Sequence, residues 1–508
     1  MAGFVLSNLV GLVRQMLITN MFGTSARLDA FYAAEKLPNI LFTLVAGGAL
    51  ASAFIPTFTS MIEKGDRPGA WKLASGIANL VTLILTLVSV LAWLFARPLV
   101  ANLLASKFSP MMQWITVEML RIMLLTTIIF GLSGLVMGIL NVHQSFLLSA
   151  FAPTLYWLGM IAGVLFLSPK IGVHGLAWGA VLGSLFHLGV QLPGLVKLPE
   201  RRYTPSLGLL IPEVREVGRL MAPRLLGVAV VQINFLVNVI VATGLPEGSL
   251  TAVTVAFQIM TMPQVVIAQA ISIAALPTFS AQIARGEIGE MRRSLAVTLR
   301  SILFLSLPAA LGLILLRQPV LALLFQRGKF DAHSVELTSW ALLWFTVGLV
   351  GHSLVEILSR AFYALHDTKT PVFVGAAAMS LNVIFSFTFP AWFARLGWMP
   401  HGGLALANSL ATALEMIVLV VLMRKRLSGL EGKYILGGSL KSVLAALGMT
   451  AALAGWSSLT AVQPVWLVAV GGIAVGGIVY LGLMTLLRVE ELSQVVGALQ
   501  ARFSNSSG

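Results

Sequence analysis

The chain contains no cysteine, so it can form no disulfide bond and offers no thiol for redox chemistry or metal binding. It also lacks the short motifs of nucleotide-binding phosphate loops, zinc proteases and serine hydrolases. Its seven histidines are scattered, mostly near the ends of apolar stretches. These absences argue against an ATP site, a metal site and a catalytic constellation. We therefore expect a protein that is not an enzyme and uses no cofactor.

Charge is scarce as well. Only 10% of the 508 residues are charged, whereas soluble domains carry roughly 25%. Hydrophobic residues make up 58%, and the mean hydropathy is +0.93. This composition is typical of an all-α polytopic membrane protein. The formal net charge of +14 fits basic loops at an anionic leaflet, so it predicts membrane lipids, and not nucleic acid, as the partner of these loops.

Apolar stretches that can cross a bilayer, at about 20 residues each, recur along the whole chain. We count fourteen. Four of them, 29–60, 213–244, 250–283 and 336–364, are longer than a bilayer needs, so we expect tilt or kinks there. The other ten are 3–20, 73–95, 113–140, 147–168, 173–196, 296–317, 371–395, 402–424, 437–460 and 465–487.

The loops between these spans differ in charge. With the N-terminus on the cytoplasmic side, twenty-one Lys and Arg residues fall in the cytoplasmic loops and tail, and eight fall in the loops on the opposite side. Basic residues accumulate on the cytoplasmic side of membrane proteins. The asymmetry predicts a multi-pass membrane protein with both termini in the cytoplasm.

The sequence also repeats itself at offsets from 221 to 228 residues. The matching pairs are ALASAFIPTFTS (49–60) with AISIAALPTFSA (270–281), LNVHQ (140–144) with YALHD (363–367), and HGLAWGAVLGS (174–184) with HGGLALANSLA (401–411).

An even number of spans in each repeat restores the topology. We therefore predict two parallel six-helix lobes, 1–200 and 201–426, followed by two extra helices and a short cytoplasmic tail in 427–508. Transporters built on repeats bind their substrate between the repeated halves. We expect the lobes to form a V around a central cavity.

Charged residues interrupt the first two spans. Arg14 lies in the first, and Asp29, Glu35 and Lys36 lie in the second. A charge at the bilayer centre costs roughly 2.5 kcal/mol or more, so such residues usually line a wet cavity. They indicate the wall of a transport path that binds an anionic group. In the alternative interpretation Arg14 and Asp29 reach water at a membrane edge, and Glu35 only pairs with Lys36.

The second span also contains helix-disrupting residues. Pro38 removes a backbone donor, and Gly47 and Gly48 loosen the chain. We predict that the helix is broken at Pro38 and Asn39 and again at the glycine pair.

Amide side chains lie at membrane depth in later spans. They can coordinate a cation, bind a substrate or form interhelical hydrogen bonds worth about 1 kcal/mol each, and we favour the hydrogen bonds. Glu356 and Arg360 lie four residues apart, so we predict a structural pair on one helix face. The amides are Gln232, Asn234, Asn238, Gln258, Asn382 and Asn408.

Eight stretches form a recognisable set: GLVR (11–14), LDAFYAAEKLPN (28–39), GALASAFIPTF (48–58), GILN (138–141), APTL (152–155), QIN (232–234), FQRGKF (325–330) and RAFYALHDTKTPV (360–372). Together they resemble the MurJ/MviN lipid II flippases of the multidrug/oligosaccharidyl-lipid/polysaccharide exporter superfamily. The resemblance implies movement of the undecaprenyl-diphosphate-linked peptidoglycan precursor, lipid II, from the cytoplasmic to the periplasmic leaflet of the bacterial cytoplasmic (inner) membrane by alternating access. It also implies a cationic cavity for the diphosphate and sugar, a groove for the lipid tail near the two extra helices, and cell-wall synthesis proteins as partners.

The resemblance assigns roles to the intramembrane charges. Arg14, Asp29 and Lys36 match cavity positions of the family. Arg14 and Lys36 would bind the diphosphate, with Arg224 near the start of the seventh span as a third cation. Asp29 and Glu35 would keep these cations in place or repel the wrong substrates. Pro38 and Asn39 match the break in the family's second helix.

Other cavity positions depart from the family pattern. Asn8, Phe42 and Gln258 stand where the family usually carries arginine, and Gly47 replaces a glutamate. The resemblance therefore implies a substrate site with fewer cations than is usual.

A sodium site seen in some relatives is also altered. Asn238 and Ser386 replace its carboxylates, beside Asn382 and Asn408. We predict a weak cation site there, with little or no specific sodium binding.

Two alternatives to lipid II transport stay open at this point. The missing arginines and the retained acids suit an exporter of another lipid-linked oligosaccharide or of a cationic drug. The chain is also compatible with a non-transporting paralogue that serves as a structural partner in a cell-wall complex. A drug-efflux phenotype would favour the first, and a second gene copy that keeps all the cavity arginines would favour the second.

Overall fold

The computed structural model describes residues 2–45, 49–489 and 491–492. All regular elements in these ranges are helical. Hydrocarbon offers no hydrogen-bond partner, so the backbone of an apolar segment must satisfy its own polar groups, which a helix does within one segment. The predicted all-α class is confirmed.

The chain forms two compact units. The first comprises Met1–Thr251 with Arg327–Phe330, and the second comprises Ala252–Gln326 with Asp331–Gly508. The predicted lobes 1–200 and 201–426 follow the sequence repeat and stay a prediction. The helices of the first unit, in chain order up to residue 242, are α1 (Ala2–Phe22), α2 (Ala26–Val45), α3 (Ala49–Glu63), α4 (Arg67–Leu94), α5 (Ala96–Leu99), α6 (Pro110–Val142), α7 (Phe146–Ala162), α8 (Ser168–Ile171), α9 (His174–Gly189), α10 (Leu192–Val196) and α11 (Pro212–Ala242).

The remaining helices complete the chain. Three π-helical segments, Val100–Leu104, Gly163–Leu167 and Val265–Gln269, adjoin the α-helices. The helices are α12 (Ser249–Gln264), α13 (Ala270–Ala284), α14 (Ile288–Phe325), α15 (Ala332–Val347), α16 (Leu349–Ala364), α17 (Lys369–Arg395), α18 (His401–Arg426), α19 (Gly432–Leu459) and α20 (Val465–Leu486).

Within the described residues, ten helices are long and apolar enough to cross a membrane, or up to twelve when two bent pairs each count as one span. The chain is thus a multi-span helical membrane protein. The predicted spans 3–20 and 29–60 are not among these helices, and 29–60 crosses residues 46–48, which lie outside the described part. The count of fourteen therefore stays a prediction.

Three of the four long spans depart from a straight α-helix. Ala332–Val347 and Leu349–Ala364 meet at 44°, and α11 bends by 48° between Ala222 and Gly227. The span predicted at 250–283 comprises α12, the π-helical segment Val265–Gln269 and α13. A π-helical turn inserts extra backbone and distorts the ladder of hydrogen bonds.

The predicted break at Pro38 and Asn39 is not observed. Helix α2 continues from Ala26 to Val45 with Pro38 inside it. A proline removes only one donor, and packing can hold a transmembrane helix together around it. The glycines of the second predicted break, Gly47 and Gly48, lie outside the described residues.

The internal repeat is visible in the positions of helices. Helices α3 and α13 each have 15 residues, with Pro56 and Pro277 at equivalent places. Helices α6 and α16 end in turns in which Gln144 and His366 have φ of 58°. In both turns the next residue's N–H bonds to a carbonyl five residues back, a common way to close a helix C-terminus.

Each unit has its own apolar core. In the first, Phe54 and Phe58 of α3 stack at 5.1 Å and pack with Trp71 of α4. In the second, α13, α14, α16 and α18 bury a cluster that includes Phe279 and Phe362. A further cluster joins α14 to α19 and α20.

Candidate functional site

The charges of the first two helices lie in the first unit. Half-buried Arg14 sits on α1, with its guanidinium carbon 4.3 Å from the ring centroid of Trp157 on α7. Its Nη1 donates to Met160 Sδ (3.6 Å) and its Nη2 donates to Gln15 Oε1 (3.1 Å). Its Nε is buried and has no hydrogen-bond partner among the described residues. The side chain is thus held in place while part of its donor capacity stays unused.

Gln15 connects α1 to α2. Its Nε2 donates to the buried hydroxyl of Tyr32 at 2.7 Å. Since Gln15 also accepts from Arg14, the guanidinium is linked through one amide to the helix that carries the other charges.

Lys36 is the second cation. Its Nζ lies 4.5 Å from the ring centroid of Phe235 on α11. An ammonium over an aromatic face is stabilised without neutralisation of its charge, so it can still attract an anion.

Glu35 interacts electrostatically with both cations, Arg14 and Lys36. Arg14 and Lys36 both act favourably on its carboxylate, which also accepts a hydrogen bond from the side chain of Asn39. The predicted role of Glu35 in keeping these cations in place is compatible with this arrangement.

Asp29 has a different environment from the one we expected. It is 3% exposed, and its carboxylate accepts from Gly248 N–H (2.7 Å), Thr251 N–H (2.7 Å) and Thr251 Oγ1 (2.6 Å). Gly248 immediately precedes α12 and Thr251 lies in its first turn, where backbone donors are unpaired and the helix dipole favours a negative charge. Both carboxylate oxygens are therefore used to cap a helix, and the cations are held by other groups.

A cavity of about 530 Å³ opens beside these charges. We call it the aromatic pocket. Its wall contains the rings of Phe42, Phe130, Tyr156, Trp157 and His187.

The rings touch in sequence. The ring centroid of Phe42 lies 4.9 Å from that of Phe130. The Phe130 centroid lies 5.0 Å from that of Tyr156 and 5.2 Å from that of His187, and the centroids of Tyr156 and Trp157 are 4.7 Å apart. Besides these rings, the polar members of the lining are Glu35, Asn39 and Asn141. Trp157 therefore belongs both to the pocket and to the support of Arg14.

Sequence reasoning missed the histidine of this pocket. His187 is buried within α9 and bonds through Nδ1 to Ser133 Oγ at 2.6 Å. Gln191, four residues on, donates to Ser133 Oγ at 2.8 Å. His187 on α9 and His352 on α16 are exceptions to the expectation that most histidines lie near loop edges. The four-residue spacing of His187 and Gln191 was the available signal.

The neutral cavity positions are now located. Asn8 is exposed on α1, and Phe42 belongs to the aromatic wall. Gln258 lies on α12 within the second unit. The backbone of Arg224 belongs to α11, but its side chain lies outside the described residues.

The amides of the predicted cation site are hydrogen-bonded. Ser386 donates to Asn382 Oδ1 at 2.9 Å, and Asn408 Oδ1 lies 2.9 Å from His352 Nε2. Asn238 donates to Asn234 Oδ1 at 3.2 Å in the first unit. The Asn408–His352 bond joins α18 to α16, so here the favoured interhelical hydrogen bond is confirmed.

Another structural prediction also holds. Arg360 Nη2 and Glu356 Oε1 are 2.7 Å apart on α16.

The chain is similar to known proteins along most of its length. The family model described as lipid II flippase MurJ matches residues 18–470. The lipid II flippase MurJ of Burkholderia cenocepacia is 32% identical over 432 residues, which cover 84% of this chain and 83% of the relative. The probable lipid II flippase MurJ of Bdellovibrio bacteriovorus is 31% identical over 509 residues, which cover 97% and 94%.

Solved structures share the fold. A lipid II flippase MurJ in an inward closed conformation gives a TM-score of 0.81 at 24% identity, with 96% of this chain and 98% of that chain covered. An inward-facing MATE-family multidrug resistance transporter of the MOP superfamily gives 0.69 at 17% identity, with 84% and 96% covered. On the family match and the relatives above 30% identity, the chain belongs to the lipid II flippase MurJ family, which consists of transporters and not of enzymes.

Proposed function

We propose that the protein moves lipid II from the cytoplasmic to the periplasmic leaflet of the bacterial inner membrane by alternating access. The observation that carries the proposal is the position of Arg14, which is held on the face of Trp157, itself a lining residue of the aromatic pocket. A diphosphate needs compensating charge to cross hydrocarbon. A guanidinium supplies it through charge-assisted hydrogen bonds.

Arg14 and Lys36 are the proposed diphosphate contacts, with Arg224, near the start of the seventh span, as a third cation. Each of the first two is positioned by an aromatic ring. Glu35 keeps the cations in place, whereas Asp29 acts through the cap of α12. Asn8, Phe42 and Gln258 add no charge, so the remaining cations must compensate the diphosphate by themselves.

The lipid tail is proposed to lie in the second unit. An apolar cavity of about 520 Å³ is lined there by α14, α19 and α20, for example by Leu305, Leu316, Leu453 and Ile473. Its walls match an isoprenoid chain, because neither offers hydrogen-bonding groups. The resemblance places the tail near the same two C-terminal helices.

The finer architecture belongs to this proposal. We infer fourteen spans, two parallel six-helix lobes around a central cavity, and two extra helices. The charge asymmetry of the loops supports cytoplasmic termini. Cell-wall synthesis proteins are the proposed protein partners.

A cationic drug fits the site less well than an anionic group. The Glu35 carboxylate already interacts favourably with Arg14 and Lys36 and accepts a hydrogen bond from Asn39, so an added cation would compete with these groups. Glu35-dependent efflux of a cationic dye by the intact protein would reverse this preference.

The direct test is binding of farnesyl diphosphate to the purified protein in nanodiscs. We expect saturable binding that Arg14→Gln weakens at least tenfold. Arg121→Gln is a matched control, because Arg121 also lies over an indole, that of Trp93 at 4.5 Å. Equal binding by the wild type and Arg14→Gln would contradict the proposed contact.

A further inference from the structure

Arg317 of α14 is a half-buried cation without a counterion among the described residues. Its Nη1 donates to the carbonyl oxygen of Ile314, while its Nε is buried and has no hydrogen-bond partner there. Buried polar groups are usually hydrogen-bonded, because an unsatisfied one costs free energy, and a charged one costs more. Most of the N–H donors of this guanidinium therefore remain available for a ligand.

Other arginines with a buried, unpartnered Nε have their charge compensated within the chain. Arg292, Arg300 and Arg360 each form an ion pair with a glutamate. Arg14 lies on an indole ring. In the part of the chain that the structure describes, Arg317 alone of this group has neither a carboxylate nor an aromatic ring as a partner. An anion from outside the chain would provide what the protein does not.

The helix neighbours of Arg317 line the apolar cavity of about 520 Å³ in the second unit. On α14 the lining extends from Phe304 to Val320. Leu313, four residues before Arg317, and Val320, three residues after it, both belong to the lining, and residues at these spacings are neighbours on a helix surface. A ligand at this end of the cavity thus lies next to the part of α14 that carries Arg317.

The walls of this cavity require no hydrogen bond from an occupant. Pro308 lacks the N–H that would bond to the Phe304 carbonyl oxygen, and the Tyr480 hydroxyl donates to this oxygen instead, at 2.7 Å. Tyr480 carries the only hydroxyl group among the described lining residues, and it is already used. An apolar chain therefore suits the cavity.

Tryptophans indicate that the Arg317 end of the cavity is close to a membrane surface. A methyl group at Gly472 would lie 2.8 Å from Leu316 and 3.4 Å from Trp456, so these three residues are at one level. Trp456 lies near the end of α19, and exposed Trp466 lies at the start of α20. Tryptophan is enriched where hydrocarbon meets the lipid headgroups. A lipid whose chain fills the cavity would have its headgroup at this level.

Charge selects among such lipids. Arg317 is the only charged residue in 301–326 and in 442–487, the segments that supply most of the lining. A phosphodiester has one negative charge and accepts charge-assisted hydrogen bonds from a guanidinium. A diphosphate brings more negative charge than one arginine compensates, and a zwitterionic headgroup brings a cation for which these segments offer no carboxylate.

We propose that this cavity binds an anionic phospholipid of the bilayer, with an acyl chain between α14, α19 and α20 and its phosphodiester on Arg317. The inference goes beyond the proposed function, because the ligand is a lipid of the bilayer and not the transported substrate. The bound lipid compensates Arg317 and fills the apolar space. A substrate tail that enters the same cavity has to displace it.

The test is photolabelling of the purified protein in phosphatidylcholine nanodiscs. Two probes, phosphatidylglycerol and phosphatidylcholine, carry the same acyl chain with a diazirine, and mass spectrometry locates the labelled residues. We expect both probes to label the cavity lining, with about tenfold more labelling by phosphatidylglycerol at equal probe concentration, since one hydrogen bond to a charged group contributes at least that factor. Arg317→Gln should make the two probes equal.

Matched controls come from the same unit. Arg395→Gln removes an exposed arginine at the end of α17 and should keep the preference for phosphatidylglycerol. Gly477 lines the cavity with open space beside it, so Gly477→Phe fills the cavity and should abolish its labelling by both probes. Gly482→Phe places the same ring on α20 outside the lining and should leave the labelling intact.

The outcomes decide between occupants. Equal labelling of the lining by both probes in the wild type, or a full preference in folded Arg317→Gln, would overturn the proposal. Stronger labelling of the lining by a farnesyl diphosphate probe, reduced by Arg317→Gln, would also overturn it, in favour of the substrate. The comparison in the wild type needs no variant, so it decides even if Arg317→Gln unfolds. Loss of lipid II transport with the phosphatidylglycerol preference intact would refute the proposed function alone.

Discussion

At the residue scale, Arg14 illustrates how a charge can be fixed without being neutralised. An indole face, a thioether and an amide hold the guanidinium, and its Nε has no partner among the described residues. The sequence located this residue through the cost of charge in a membrane. It could not identify Trp157 or Met160 as its supports, because they lie more than 140 positions away.

We expect Arg14→Ala to abolish transport while the protein stays folded, because it removes the charge that compensates the diphosphate. The measurement is lipid II flux together with thermal unfolding of the purified variant. Arg121→Ala, which removes the other arginine over an indole in the same unit, should retain flux. Full activity of Arg14→Ala would refute the role.

Asp29 shows what sequence reasoning at this scale cannot resolve. Its charge in an apolar span predicted a cavity residue, yet its partners are backbone donors more than 200 positions away. A sequence does not reveal which helix terminus will face a buried carboxylate.

We therefore expect Asp29→Ala to destabilise the fold. It removes three hydrogen bonds to a charged acceptor, and one such bond contributes about 1.5–3 kcal/mol. Asp66→Ala is the control, because exposed Asp66 caps α4 through a single bond to Gly69 N–H and should cost about 1 kcal/mol. Equal unfolding free energies for the two variants would show that the buried Asp29 cap contributes little to the stability of the fold.

At the element scale, α14 is joined to α19 and to the segment after α20 by one buried cation. Arg300 on α14 forms an ion pair with Glu491, and both side chains are 6% exposed. Its guanidinium lies 3.9 Å from the ring centroid of Tyr434, and a methyl group at Gly438 would collide with it. Glycine at this position of α19 therefore leaves room for the guanidinium of Arg300.

We expect Glu491→Gln to lower stability by about 3–5 kcal/mol, since it leaves a buried arginine without its counterion. Glu287→Gln disrupts an exposed pair with Arg285 in the same unit and should cost at most about 1 kcal/mol. Thermal or denaturant unfolding of both variants measures the difference. A shift for Glu491→Gln no larger than that of the control would show that the pair contributes little.

Helices were more predictable than their irregularities. Long apolar runs gave their approximate bounds, and excess length correctly indicated distortion in 213–244 and 336–364. The helix break predicted at Pro38 was wrong, because helix packing can outweigh the loss of one backbone donor. The aromatic pocket was not predictable, since its rings come from four helices with no common motif.

At the scale of the whole molecule, the two compact units show the same helix pattern at matched positions, as α3 and α13 do. The internal repeat could be recognised in the sequence because each copy must bury the same apolar helix faces. The position of the unit boundary after Thr251 was not readable, because it depends on contacts that only folding creates.

We expect little or no specific sodium binding. No group of three or more acidic or metal-ligating side chains occurs in the described ranges, and Asn382 and Asn408 already have hydrogen-bond partners. Isothermal titration of the purified protein with sodium chloride, against choline chloride at equal ionic strength, should give no saturable heat. A tight, saturable sodium signal would contradict this.

The most direct test of lipid II transport is complementation. The chain is expressed in a bacterium depleted of its own lipid II flippase, and growth and lipid II in the periplasmic leaflet are measured. The variant Asn8→Arg, Phe42→Arg, Gln258→Arg, which restores the family's arginines, is run in parallel. The account predicts that the wild-type chain restores both readouts. Failure of a stable, inserted wild-type chain, with or without rescue by the triple variant, would contradict lipid II transport by this sequence.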